Sequence, residues 1–93
     1  MPNKNVPETP FRTAVVSVVR SIPRGTTMSY QSVAIAAGYP RAARAVAQVM
    51  AHNYDPTVPC HRVIKRDGSL GGYNRGGAAR KQAILRDEGV HTV

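Results

Sequence analysis

Residues 57–68, TVPCHRVIKRDG, hold the one cysteine of the chain, followed at once by a histidine and then by Arg62, Lys65 and Arg66. A thiol reacts as its thiolate, and nearby cations, a helix N-terminus or an imidazole base favour that form. Cys60 and His61 therefore have the residue types of a nucleophile and its base. Neighbours in sequence do not automatically face each other, but in a helix or turn starting here the imidazole could reach the thiol directly or through a water. Pro59 restricts the backbone that enters the pair. The plainer reading of a Cys–His pair is a thiol packed as a small hydrophobe beside a surface histidine. His52, Cys60 and His61 lack the spacing of metal ligands. With no second cysteine, neither an internal disulfide nor a common zinc site is expected. No metal and no cofactor is predicted.

The charge balance points to a partner. Lys and Arg total 13 against 5 acidic residues, a net charge of +8 on 93 residues, with a pI near 10.6. So basic a small chain suits a polyanion, nucleic acid ahead of a membrane surface. A basic solvated surface or a ribosome-associated protein would show the same totals. Apolar residues make up 42%, dominated by Ala and Val, with one Phe and no Trp. This predicts one small domain with a thin, mostly helical core. The longest apolar runs, AVVSVV and VAIAA, are too short to span a bilayer. The segment MPNKNVPETP is polar and proline-rich and does not read as a signal peptide. Together with the lone thiol it points to a reducing, intracellular compartment.

The elements that would position Cys60 can be read from caps and periodicity. Residues 1–8 read as a flexible arm and residues 9–93 as one domain. Thr9 followed by Pro10 is a helix start, and Phe11, Ala14, Val15, Val18 and Val19 recur at helical spacing over 10–21. Pro23 and Gly25 end that helix. Ser29 caps a second helix, about 30–37, which Gly38 closes. Pro40 is expected to open a third, PRAARAVAQVMAH, rich in helix-favouring alanine. Two short helices joined by a glycine-containing turn match a helix-turn-helix. Arg41, Arg44 and Gln48 would then lie along one face of the third helix. Ala42 and Ala45 would adjoin that face and allow close approach to a groove. Ala43, Val46, Ala47 and Met50 would face the core. Residues 53–78 promise little regular structure beyond a short β-hairpin around 64–73. A last helix is expected over 78–87, with Gly89 as its stop. The fold class is therefore mainly α, a small single domain with a helix-turn-helix (winged-helix-like) and at most a short β-hairpin.

VPCHRVI followed by GGYNRGGAARKQAILRDEG closely resembles the active-site region of the O6-alkylguanine-DNA alkyltransferases, the methylated-DNA–protein-cysteine methyltransferases. FRTAVVSVVRSIPRGTTMSYQSVAIAAGYPRAARAVAQVMAHN is similar to that family's helix-turn-helix region. The resemblance runs from Phe11 to Gly89. It implies double-stranded DNA containing O6-alkylguanine as partner, bound through the minor groove by a monomer, with the damaged nucleotide rotated into a pocket. It implies that Cys60 accepts the alkyl group once, as a thioether. His61 would take the thiol proton through a water, and Glu88 would orient His61. Tyr30 would give a proton toward the guanine. Arg44 matches the arginine that fills the gap left in the stack, with Arg41, Gln48, Tyr30, Ala42 and Ala45 against the DNA. Asn53 would tie the recognition helix to the active-site turn. Pro59, Arg62, Val63, Tyr73, Asn74 and Lys81 would line or support the pocket. The basic run after Cys60 reads as DNA contact and support.

Two departures fall near the pocket. The stretch from Asn53 to Cys60 is one residue shorter than in some members. YNRGG is one residue longer than the common Tyr-x-Gly-Gly form, which puts Asn74 and Arg75 at the pocket lip. The N-terminal domain of many members, sometimes zinc-bearing, is not expected here. Two other readings compete. Alkyltransferase-like proteins share the helix-turn-helix but replace the cysteine and sense the lesion without transfer. A helix-turn-helix transcription regulator would not need Cys60, His61 and Glu88 together.

Overall fold

The computed structural model describes residues 9–70, 73 and 76–90. The expected arm over residues 1–8, and Asn74 with Arg75 at the pocket lip, lie outside the described residues.

The first helix, α1 (Pro10–Arg20), starts as the sequence predicts. Thr9 is the cap, its hydroxyl accepting from the Arg12 amide, and Pro10 occupies the first turn. Strand β1 (Met28–Ser29) runs directly into α2 (Tyr30–Ala36), which Ser29 caps through the Ser32 amide. Helix α2 closes on Gly38 at φ +91. The Gly38 amide donates to Ile35 and the Tyr39 amide to Ala34, the paired bonds of a Schellman ending. Tyr39 then stacks edge-on against Phe11, ring centroids 4.9 Å apart.

The third helix, α3 (Ala43–Ala51), starts later than the alanine pattern suggests. The Ala42 amide donates to the Tyr39 carbonyl at 3.0 Å. Pro40 and Arg41 are therefore the central pair of a β-turn, where proline's fixed φ suits the second position. Pro40 does not open the helix, and Arg41 precedes it.

A single 3₁₀ turn (Cys60–Arg62) leads into β2 (Val63–Ile64), and α4 (Gly77–Asp87) completes the order. The expected hairpin over 64–73 is not what β2 forms. β2 pairs in parallel with β1, Met28 opposite Val63 and Ser29 opposite Ile64. After β2 the chain makes a tight turn, with Lys65 N–H donating to Ser69 O and Gly68 N–H to Lys65 O. Parallel strands need a crossover, and here α2 and α3 are that crossover. The pairing sets Tyr30, which comes directly after β1, beside the segment that leads away from Cys60.

One apolar cluster holds the elements together. Val15 and Val19 of α1, Ile22, Val33 and Ala34 of α2, Val46 and Met50 of α3, Val58, Cys60 and Val63 are buried in it. Each fully buried aliphatic side chain contributes about 1.5–3 kcal/mol. Cys60 is thus a core residue. Among the described residues no helix is long and apolar enough to cross a membrane.

Candidate active site and adjoining groove

Cys60 is only 4% exposed and opens the 3₁₀ turn. Its amide donates to Val58 O at 2.8 Å across Pro59, whose φ of −78° and ψ of 65° are those of an inverse γ-turn. Proline pre-sets that φ, so the chain enters the site in one direction. The Arg62 amide closes the turn on Pro59 O at 3.0 Å. Val63 is fully buried and belongs to the same core cluster as Cys60.

His61 and Arg62 both reach Glu88, the residue that ends α4. His61 Nε2 lies 3.0 Å from Glu88 Oε2. Arg62 grips the same carboxylate with two parallel bonds, Nε to Oε1 at 2.9 Å and Nη2 to Oε2 at 2.8 Å. Its Nη1 donates to Ile22 O at 2.9 Å. The Glu88 side chain is 8% exposed. A carboxylate at a helix C-terminus opposes the helix dipole. The Arg62 fork offsets that and, ahead of His61, holds the Glu88 carboxyl down at about 2. Glu88 is therefore a fixed anion across the neutral range. With Nε2 donating to it, Nδ1 of His61 is the ring nitrogen left to accept a proton.

The backbone also fixes Glu88. Gly89 at φ +89 lets its amide donate to Arg86 and the Val90 amide to Leu85, a second Schellman ending. From the other side, Arg24 donates to Asp87 O at 3.3 Å. A Cβ on Gly25, also at φ +89, would stand 3.2 Å from Glu88 O. Gly25→Ala should therefore destabilise the fold by roughly 1–3 kcal/mol, from strain at positive φ and from pushing the α4 terminus away. Urea unfolding checks it, and an unchanged midpoint would show that the loop does not hold α4.

Tyr30 and Lys81 sense the thiol from the other direction. Burial first, then charge on Cys60, raise the Tyr30 hydroxyl above its ordinary range, which keeps its proton in place. Lys81 is 1% exposed. Its Nζ donates to Val63 O at 2.7 Å and Leu70 O at 2.6 Å and lies 5.8 Å from the Tyr30 ring centre. Burial pulls it down to about 8, and charge on Cys60 opposes that. A neutral amine still has two protons for these two carbonyls. In the unfolded chain Lys81 titrates near 10.5. Between pH 8 and 10.5 the unfolded chain therefore holds a proton that the folded one has released, so stability rises with pH there. Relative to Lys81→Met, which cannot titrate, the parent should gain roughly 2–3 kcal/mol across that window. Denaturant midpoints at pH 7.5 and 10.5 measure it, and a flat difference would refute it.

Asn53, 1% exposed, comes just past the α3 terminus and holds the loop that returns to Cys60. Its Oδ1 accepts from Asp55 N at 3.3 Å and its Nδ2 donates to Asp55 O at 3.4 Å. Asp55 in turn bonds Thr57 and pairs with Arg20 of α1.

Beside the site lies an open groove of about 820 Å³, lined by Tyr30, Gln31, Pro40, Arg41, Ala43, Arg44, Ala47, Lys65 and Arg66. The expected arginine face is corrected in part. Arg44 and Arg41 do share the groove, but Arg41 reaches it from the turn before α3. Ala43 and Ala47 line the groove rather than the core, while Ala42 packs against the core. Ala45 and Gln48 are exposed on α3. Tyr73 packs against the core cluster. Two features went unread in the sequence, the grip of Arg62 on Glu88 and the Arg24–Gly25 contact with α4, while the basic run after Cys60, read as DNA contact and support, brings Lys65 and Arg66 to the groove. IPRGTT looked only like a helix break, and a pairing across 26 residues has no local signature.

A helix-turn-helix domain with a buried thiol, an imidazole and an arginine-held carboxylate behind its groove defines the class. The family model described as 6-O-methylguanine DNA methyltransferase, DNA binding domain, matches residues 10–90, and the chain belongs to that family. The mouse methylated-DNA–protein-cysteine methyltransferase is 43% identical over 82 residues, 87% of this chain and 39% of that protein. The Mycobacterium tuberculosis OGT–DNA complex superposes with a TM-score of 0.82 at 44% identity, covering 89% of this chain and 51% of that one. The S. pombe Atl1 complex with damaged DNA containing O6-carboxymethylguanine gives 0.79 at 35%, covering 92% and 82%. The chain spans less than half the length of the curated relatives it matches.

Proposed function

We propose that this chain repairs DNA by moving an alkyl group, methyl above all, from O6-alkylguanine in double-stranded DNA onto Cys60. The observation that carries the reading is the arginine-held Glu88 carboxylate set against His61, directly beside the one cysteine.

The damaged nucleotide leaves the stack and enters beside Cys60. Extrusion costs a few kcal/mol, less at a damaged pair, and Arg44 offsets part of it by filling the gap. His61 takes the thiol proton through a water, and Glu88 stabilises the imidazolium that forms. The sulfur attacks the alkyl carbon. The S–C bond forms as the C–O6 bond breaks, and the electron pair passes into the guanine ring. Tyr30 protonates the base, and the proton on His61 restores the balance through solvent. Asn53, Pro59, Arg62, Val63, Tyr73 and Lys81 support the pocket. A thioether is a poor leaving group, so each molecule acts once. The chemistry draws on no cofactor or metal. Residues 9–93 act as one monomeric unit. The protein works wherever the cell keeps its DNA, the nucleoid of a prokaryote or the nucleus of a eukaryote.

Incubation with a duplex containing O6-methylguanine, followed by intact mass, tests this. A gain of one methyl on Cys60, and no more, is the expected result. Tight lesion binding without a mass change would instead mean a sensor of the Atl1 kind. Equal binding to damaged and undamaged DNA with a preferred sequence would mean a regulator.

A further inference from the structure

The groove has two cationic walls, and only one belongs to the helix-turn-helix. Arg41 and Arg44 line it from the α3 side, and Lys65 and Arg66 line it from the turn after β2. That turn is built to hold its shape. Lys65 N–H bonds Ser69 O, Gly68 sits at φ +91, and its amide returns to Lys65 O. Asp67, the acid inside this basic run, is committed to the turn. Its Oδ1 accepts from the Ser69 amide at 2.9 Å and the Ser69 hydroxyl at 2.7 Å. These bonds, with Lys65 nearby, hold its carboxyl below the usual range. Among the described residues neither Lys65 nor Arg66 is in an ion pair within 4 Å. Both are exposed.

We infer that Lys65 and Arg66 form a phosphate clamp that holds the backbone of the DNA strand carrying the extruded nucleotide. This rests on the proposed function. The strand chemistry follows from position. The turn is three residues past the 3₁₀ turn of Cys60, and β2 is tied to β1 next to Tyr30. A strand feeding a nucleotide to Cys60 must pass that edge of the groove. Arg44 acts from the α3 side, inside the stack. The clamp reads no base, so it strengthens binding to any sequence, which suits a protein that must search all DNA.

The test is the salt dependence of duplex affinity, measured by fluorescence anisotropy on damaged and undamaged oligonucleotides. The double variant Lys65→Ala, Arg66→Ala should lower the slope of log K against log salt by about 2. Affinity at low salt should fall about tenfold, equally for both duplexes. Lys65→Arg, Arg66→Lys should restore the slope. Arg80→Ala, Arg86→Ala removes the same charge from α4, outside the groove, and should change the slope clearly less. Thermal melts report that each variant is folded. A slope for Lys65→Ala, Arg66→Ala equal to the parent's, or to that of the α4 variant, overturns the clamp while leaving duplex binding by the parent in place. If the parent itself binds no duplex, the proposed function and the clamp fail together.

Discussion

Cys60→Ala leaves O6-methylguanine in duplex DNA unrepaired at any excess of protein, while its affinity for the same duplex stays within about twofold of the parent. The first half follows from chemistry: no other cysteine is present to accept the group. The second follows from placement. Cys60 is buried in the core cluster and does not line the groove where Arg41, Arg44, Lys65 and Arg66 stand. The variant loses one sulfur from the core, which costs on the order of 1 kcal/mol and leaves the groove intact. Restriction of an oligonucleotide whose site the lesion blocks gives the repair readout. Anisotropy gives the affinity. Any methyl transfer by this variant would mean that another nucleophile does the work.

Glu88→Gln should slow the transfer about 100-fold under single-turnover conditions, with little change in DNA affinity. A positioned base contributes on the order of 10²–10⁴ in rate, and the glutamine can neither stabilise the imidazolium nor fix the ring as an anion does. The same change strands the Arg62 guanidinium, whose side chain is 16% exposed, beside a neutral amide. That should destabilise the fold by about 2–3 kcal/mol, somewhat below the cost of breaking a fully buried pair. The pH dependence separates the two effects. The Glu88 carboxyl is depressed from 4.5 to about 2 in the folded chain. Its contribution to stability is complete above pH 4.5 and is lost as pH falls through 2. The gap between parent and Glu88→Gln in urea midpoint should close over that acid range. A rate equal to the parent's at pH 7 would remove Glu88 from the mechanism.

What the sequence disclosed depended on how local the physics is. Thr9, Ser29, Gly38 and Gly89 mark helix ends because a cap or a positive φ is settled within three or four residues. Pro40 misled because proline suits both the first turn of a helix and the second position of a β-turn. Only the Tyr39–Ala42 bond decides between them. Alanine gave no direction: Ala42 faces the core, while Ala43 and Ala47 line the groove, and side chains so small fit either side. The β1–β2 pair has two residues per strand and joins positions 35 apart, Met28 to Val63, so no periodicity announces it. Cys60, His61 and Glu88 stood out through a resemblance in their surrounding motif. Arg62 read as support, and its fork on Glu88 became visible only once α4 was placed.

The parallel pairing also fixes when the site can exist. Tyr30 and Cys60 lie on opposite sides of the crossover made by α2 and α3, and Glu88 comes later still. Contacts between distant positions form slowly, because the loop between them must close first. During synthesis or refolding α2 and α3 can condense before the carboxylate has reached the histidine. On the proposed function, DNA binding by the groove would return before alkyl transfer during refolding, because the His61–Glu88 contact closes last.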